Sequence, residues 1–202
     1  MRPSKTALFS AATAWDAPLV RRLLEAAPDL ITATDRRGRT ALHLACAVKP
    51  GKPGTREPNG IRTVMTLLEC GAAVHGCVPL DNGTFKGTAA WYAVAHGDNL
   101  PLVRMLLKRG ADVSNCLFAA AWNDNAAMLR ELLKTNPPLD ALGEGEPVIT
   151  FAIRWRRLRA VEALIRAGAD ASVQDAKGRD AVFHARAKKL PGRLIARLER
   201  LR

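Results

Sequence analysis

The chain has 202 residues, 48% of them apolar and 5% aromatic, with a formal net charge of +12. That apolar content excludes a wholly disordered chain, and the dominance of Ala, Leu and Arg over strand formers turns the expectation to helix. No apolar run reaches membrane-spanning length, and the charge points to an acidic partner without distinguishing protein from nucleic acid or phospholipid.

The first residues, MRPSKTALFSAATAW, have the rough outline of a signal peptide. Ser and Thr dilute the apolar stretch, and secretion is not expected. Next comes Asp35 to Cys46, DRRGRTALHLAC, then an interrupted stretch, then Val64 to Ala72, VMTLLECGA. The leucine-rich helix closed by Gly-Ala recurs at Leu106–Val113 and again at Leu164–Asp170. Gly71, Gly110 and Gly168 suit the left-handed residue that ends a helix. Thr40 is placed to cap the helix that follows it, with Leu42 and Leu44 expected in the core. Four cysteines (Cys46, Cys70, Cys77, Cys116) show no Cys-x-x-Cys spacing, so free thiols in a reducing compartment are expected and no metal.

DRRGRTALHLAC closely resembles the ankyrin signature, a turn with Asp and Gly followed by T-P-L-H-x-A, and the Gly-Ala closures resemble the end of that family's second helix. In that register the remaining units follow in chain order. Thr6–Ala12 and Leu19–Glu25 form the first pair. Thr88–Gly97 opens a later one, with Trp91 where the family has His. Leu117–Ala121 goes with Met128–Leu133, and Pro147–Trp155 with Ala160–Ile165. Asp175–Ala185 goes with a last helix over Arg193–Leu201, which acts as a cap. The resemblance implies an all-α solenoid of about six helix-turn-helix repeats with β-hairpin fingers. The expectation is one domain over 1–202, with repeats near 4–34, 35–75, 76–114, 115–141, 142–174 and 175–202. A unit of this kind buries its apolar face only against its neighbours.

The interrupted stretch, Lys49 to Gly60 (KPGKPGTREPNG), contains a Gly-Lys pair. A phosphate loop needs a strand before it and Gly-Lys-Ser/Thr opening a helix. Here Lys52 precedes Pro53 and the upstream Gly is missing, so the stretch reads as an insertion of ten residues between two helices. Its first reading is a mobile surface excursion. Its second is an added contact arm.

Members of the family bind protein partners on the concave side, through fingertips and the exposed residues of first helices. Carried onto this chain, the fingers are uneven. One is long between Val74 and Thr88, around the turn signal Asp81-Asn82-Gly83. Another is missing between Val113 and Leu117, leaving Ser114 or Asn115 to cap the next helix. The candidate partner-binding residues are Trp122 and Asn123 beside that gap, Arg154 and Trp155 in the next repeat, and Arg36, Arg37, Arg39, Asn82 and Lys86 on the fingers. The two indoles are either interface anchors or filling for the absent finger. Trp15 and Trp91 are expected to be structural.

Residues 151–202 hold 14 Lys+Arg against 5 Asp+Glu, a surplus of nine. The surplus is either a solvated face or steering for an acidic partner. The four histidines fall in separate repeats, and no Cys-His or Ser-His pairing can be assembled. The expectation is a monomeric, non-catalytic, cofactor-free module for an acidic protein surface. It would work in the cytoplasm, or in a host cell as a bacterial effector or neutralising protein. The alternative is a basic scaffold for nucleic acid or anionic membrane, carried by Arg193–Arg202, although no ribonucleoprotein box or helix-turn-helix accompanies the charge.

Overall fold

Seven of the twelve helices among the described residues begin where a short polar side chain satisfies an orphan N–H group. Ser4, Asp16, Thr88, Asn99, Asn125 and Asp180 each accept from the backbone N–H three residues on. Thr40 forms a capping box with His43. The computed structural model describes residues 2–80, 85–113, 115–143 and 145–202. Among them the helices run α1 Lys5–Thr13, α2 Ala17–Ala26, α3 Ala41–Cys46, α4 Ile61–Glu69, α5 Ala89–Ala95 and α6 Leu100–Lys108, then α7 Cys116–Trp122, α8 Ala126–Leu133, α9 Val148–Arg154, α10 Leu158–Arg166, α11 Ala181–Ala187 and α12 Gly192–Glu199. They form six helix pairs, the all-α ankyrin-type architecture expected.

The residues divide into two compact units, Met1–Val113 and Ser114–Arg202. In the first, α1, α3 and α5 pack side by side as one row and α2, α4 and α6 as a second. Leu8, Trp15, Leu42, Leu67, Leu102 and Leu106 fill the space between the rows. The second unit repeats the plan, with α7, α9 and α11 in one row, α8 against α10, and α12 against α11. Its core is Met128, Leu129, Leu132, Ile149, Ile153 and Leu164.

Two antiparallel hairpins form the fingers. Strand β1 (Cys77–Leu80) pairs with β2 (Phe85–Thr88), Cys77 opposite Thr88, which is the long finger expected between Val74 and Thr88. Its tip, Asp81-Asn82-Gly83, lies outside the described residues. Strand β3 (Leu142–Gly143) pairs with β4 (Glu146–Pro147) as a short one. Asn115 stands at the N-cap position of α7.

Five of the six pairs turn on one left-handed residue between their helices: Trp15, Asp98, Asp124, Arg156 and Lys189, with φ between 46° and 54°. None is glycine, so each carries a local penalty of about 1–2 kcal/mol that packing must offset. The exception is α3–α4, where the insertion sits. The glycine stops behave as expected, Gly71, Gly110 and Gly168 lying at φ +94°, +72° and +82°.

Two expectations need correction. Leu44 is only half-buried, because two positions along a helix from the buried Leu42 it falls on a different face. The insertion is not a loose excursion. The Arg56 N–H donates to the Ala14 carbonyl (2.8 Å), and its guanidinium meets Asp16 at 3.2 Å. The Asn59 carbonyl accepts from Asn99 Nδ2 (2.9 Å), and Gly60 lies flush on the Trp15 ring. Glu57 accepts from the Arg62 N–H and the Thr63 hydroxyl, closing the start of α4. The C-terminal helix is docked as a cap should be. Leu194 and Leu198 are buried, the Leu201 carbonyl accepts from the Ala171 N–H, and Arg202 pairs with Asp180 at 3.0 Å.

Candidate protein-binding face

In the second unit, α7 ends at Trp122 and α9 runs out at Trp155, both in the same row of helices. Both indoles are nearly half exposed, 45% and 46%. Their ring centroids are 4.8 Å apart at an interplanar angle of 72°, an edge-to-face contact. Phe151 stands behind them, 6.2 Å from Trp122 and 6.4 Å from Trp155, and Phe118 meets Phe151 edge to face at 5.5 Å. The short hairpin braces this strip from below. A Cβ on Gly143 would come within 2.6 Å of the Phe118 ring, so only glycine lets the backbone approach this closely.

The cation on this strip is not the one the sequence nominated. Arg154 is committed to Glu146 (Nη1 to Oε1, 2.8 Å), a carboxylate only 5% exposed. Burial pushes the Glu146 carboxyl above the usual carboxylate range, against the pull of Arg154. Arg157, before this only one of the 14 cations counted in residues 151–202, lies 5.1 Å from the Trp122 ring centroid in a cation–π contact. Asn123 is the C-cap of α7, its N–H returning to the Ala119 carbonyl.

The finger residues belong to the first unit. Asp35 Oδ1 accepts from the Arg37 and Arg39 N–H groups, and its Oδ2 takes the Arg39 guanidinium at 2.7 Å. Arg39 is therefore partly spent on holding the turn, while Arg36 and Arg37 extend into solvent. Lys86 is exposed on β2, and Asn82 lies outside the described residues.

Three of the four histidines serve the scaffold. His43 Nδ1 accepts from the Thr40 N–H (3.2 Å), so its Nε2–H donates to the Gly76 carbonyl (3.0 Å) and ties the helix to the next finger. Burial holds this imidazole below its ordinary pKa. His96 stacks on Tyr92 and packs against Trp91. His184 shares the Asp175 carboxylate (2.9 Å) with Arg179, a pairing that sequence spacing did not reveal. Among the described residues no three His, Cys, Asp or Glu side chains converge as a metal site. No helix among them is long and apolar enough to cross a membrane.

Paired helices with hairpin fingers, turned on left-handed residues and stacked in rows, define a helix-pair repeat protein. Residues 90–175 match the family model of ankyrin repeats in three copies. With the same plan in the residues before and after, the chain has the ankyrin repeat fold. It is similar to an ankyrin repeat domain from Acinetobacter baumannii, with a TM-score of 0.71 and 25% identity over 98% of this chain and 96% of that one. A solved complex of a predatory endopeptidase from Bdellovibrio bacteriovorus with an immunity protein contains a chain similar at a TM-score of 0.71 and 24% identity, covering 97% of this chain and 98% of that one. Human B-cell lymphoma 3 protein is 28% identical over 182 residues, 86% of this chain. The chain spans only 37% of that relative's length. The ankyrin repeat is a protein–protein interaction module and generally not a catalytic one.

Proposed function

We propose that this chain is a non-catalytic, monomeric module that occupies an acidic surface of a protein partner, with Trp122 and Trp155 as its anchors. One observation carries the reading. Two large indoles stand half exposed and locked edge to face, backed by Phe151 and flanked by Arg157. Rigid aromatic anchors next to arginine are the composition that dominates interface energetics. The charge surplus of residues 151–202 fits an acidic partner and supplies steering that fades with salt. Acting by occupation suits an effector or neutralising protein of bacterial origin, in the cytoplasm or inside a host cell. Docking of α12 weighs against a free membrane-binding helix, because the helix packs on α11 and its Leu194 and Leu198 are buried.

The test is a pull-down from native lysate with nuclease at two salt concentrations, comparing wild type with Trp122→Ala/Trp155→Ala. Anchor truncations of about 2 kcal/mol each weaken binding by more than about a hundredfold together. A partner that survives nuclease and is lost by a still-folded double variant fits the proposal. Captured material that disappears with nuclease and ignores the tryptophans replaces it with a nucleic-acid scaffold.

A further inference from the structure

The insertion in the first unit, once seen to be fastened, has a shape with a use. Its first residues, Lys49 to Lys52, form one wall of a cleft of about 630 Å³. The opposite side is built by the ends of three helices: Thr13 closing α1, Ala47 capping α3 and His96 capping α5. Leu44, half-buried contrary to expectation, and Val48 give the cleft an apolar floor. Arg39, Lys49 and Lys52 are its cations, and no carboxylate lines it among the described residues.

We propose that this cleft receives the glutamate or aspartate side chains of an acidic protein segment, with Lys49 and Lys52 on the carboxylate and Leu44 and Val48 against its methylenes. The proposal rests on the acidic-partner reading above and gives it a second site. The backbone that carries the lysines is held in place. Arg56, Asn59 and Gly60 pin the insertion to Ala14, Asp16, Asn99 and Trp15. The Lys52 N–H then returns to the Lys49 carbonyl (3.3 Å) to set the turn between them. Burial above all, and then the cations Arg39, Arg37 and Lys49, lower the His96 imidazole's proton affinity.

Carboxylate is favoured over phosphate for two reasons. Helix C-termini carry partial negative charge, which penalises a multiply charged anion more than a single carboxylate. The bidentate fork of Arg39, the best phosphate donor present, is already occupied by Asp35. The basic cleft of the second unit is different in kind. There Arg154, Lys177 and Lys188 surround Glu146 and Asp175, two buried carboxylates that already answer the charge.

The experiment is fluorescence anisotropy of a labelled octaglutamate peptide with the full chain at low salt. Saturable binding is expected, and Lys49→Glu/Lys52→Glu should weaken it by on the order of tenfold or more. The variant Lys5→Glu/Lys134→Glu, with the same change in net charge, should bind within about twofold of wild type. Should the double reversal fail to fold by circular dichroism, Lys49→Gln/Lys52→Gln takes its place. Trp122→Ala/Trp155→Ala should bind the peptide normally, so loss of the native partner in that variant speaks to the indole face alone. Three results overturn the proposal: no saturable binding, binding indifferent to Lys49 and Lys52, or tripolyphosphate bound at the lysines where octaglutamate is not.

Discussion

Gly60→Ala tests how the insertion is fastened. Gly60 has φ +67°, and a Cβ there would lie 2.3 Å from Trp15 Cε2 and 2.4 Å from its Nε1. The indole cannot retreat, because it is 0% exposed and its Nε1–H donates to the Ala45 carbonyl at 2.9 Å. The left-handed backbone costs an alanine about 1 kcal/mol or slightly more, and forcing a methyl into a filled space adds about 1–3 kcal/mol. The sum is roughly 3 kcal/mol, a large share of a typical stability of about 5–15 kcal/mol. Gly51→Ala is the matched control, with φ +76° and no described atom within 4 Å, so only the backbone part of about 1 kcal/mol applies. Urea unfolding followed by Trp fluorescence and by circular dichroism measures both. A loss for Gly60→Ala equal to that for Gly51→Ala would refute the steric contact. It would return the insertion to the status of a loose excursion.

Three further outcomes are expected. The folded-state pKa of His43 is depressed by burial, so its contribution to stability is whole above the unfolded value of 6.5 and is lost as pH falls below it; the urea midpoint of the wild type should drop from about pH 7 to about pH 5 more than that of His43→Gln. Glu146 has the opposite sign. Its raised pKa makes the charged form unfavourable in the fold, so Glu146→Gln should raise the urea midpoint at about pH 7 and give no gain at about pH 4. Leu198 is the fully buried residue of α12, 0% exposed, and Leu198→Ala should cost about 2–5 kcal/mol and turn slow tryptic cleavage after Arg197 into fast cleavage.

How far the chain could be read without coordinates follows the range of the forces involved. Helix starts at Thr40 and Thr88, the glycine stops at 71, 110 and 168, and the start of α4 at Ile61 were legible, because caps and left-handed glycines act over three or four residues. His43 stands at the His of the signature T-P-L-H-x-A, and the Gly76 carbonyl 33 positions on accepts from it. Trp122 and Trp155 were both picked out, but their contact across 33 positions exists only once α7 and α9 lie side by side.

By itself, then, the sequence determined which segments are helices, where they stop and that they come in pairs. Those outcomes depend on backbone groups satisfied by near neighbours and on apolar faces repeating at a fixed period. Tertiary structure alone decided the partners of long side chains and the postures that packing imposes. It gave Arg154 to Glu146 and Arg157 to Trp122, and left Leu44 half in solvent. It put Trp15, Arg156 and Lys189, as well as the more tolerant Asp98 and Asp124, into a left-handed conformation, because the helices on either side bury enough to hold it. The Lys49–Gly60 insertion shows the division most clearly. Its glycines and prolines identified a loop, but only a tryptophan more than thirty residues upstream and an asparagine forty residues downstream turned it into a fixed wall.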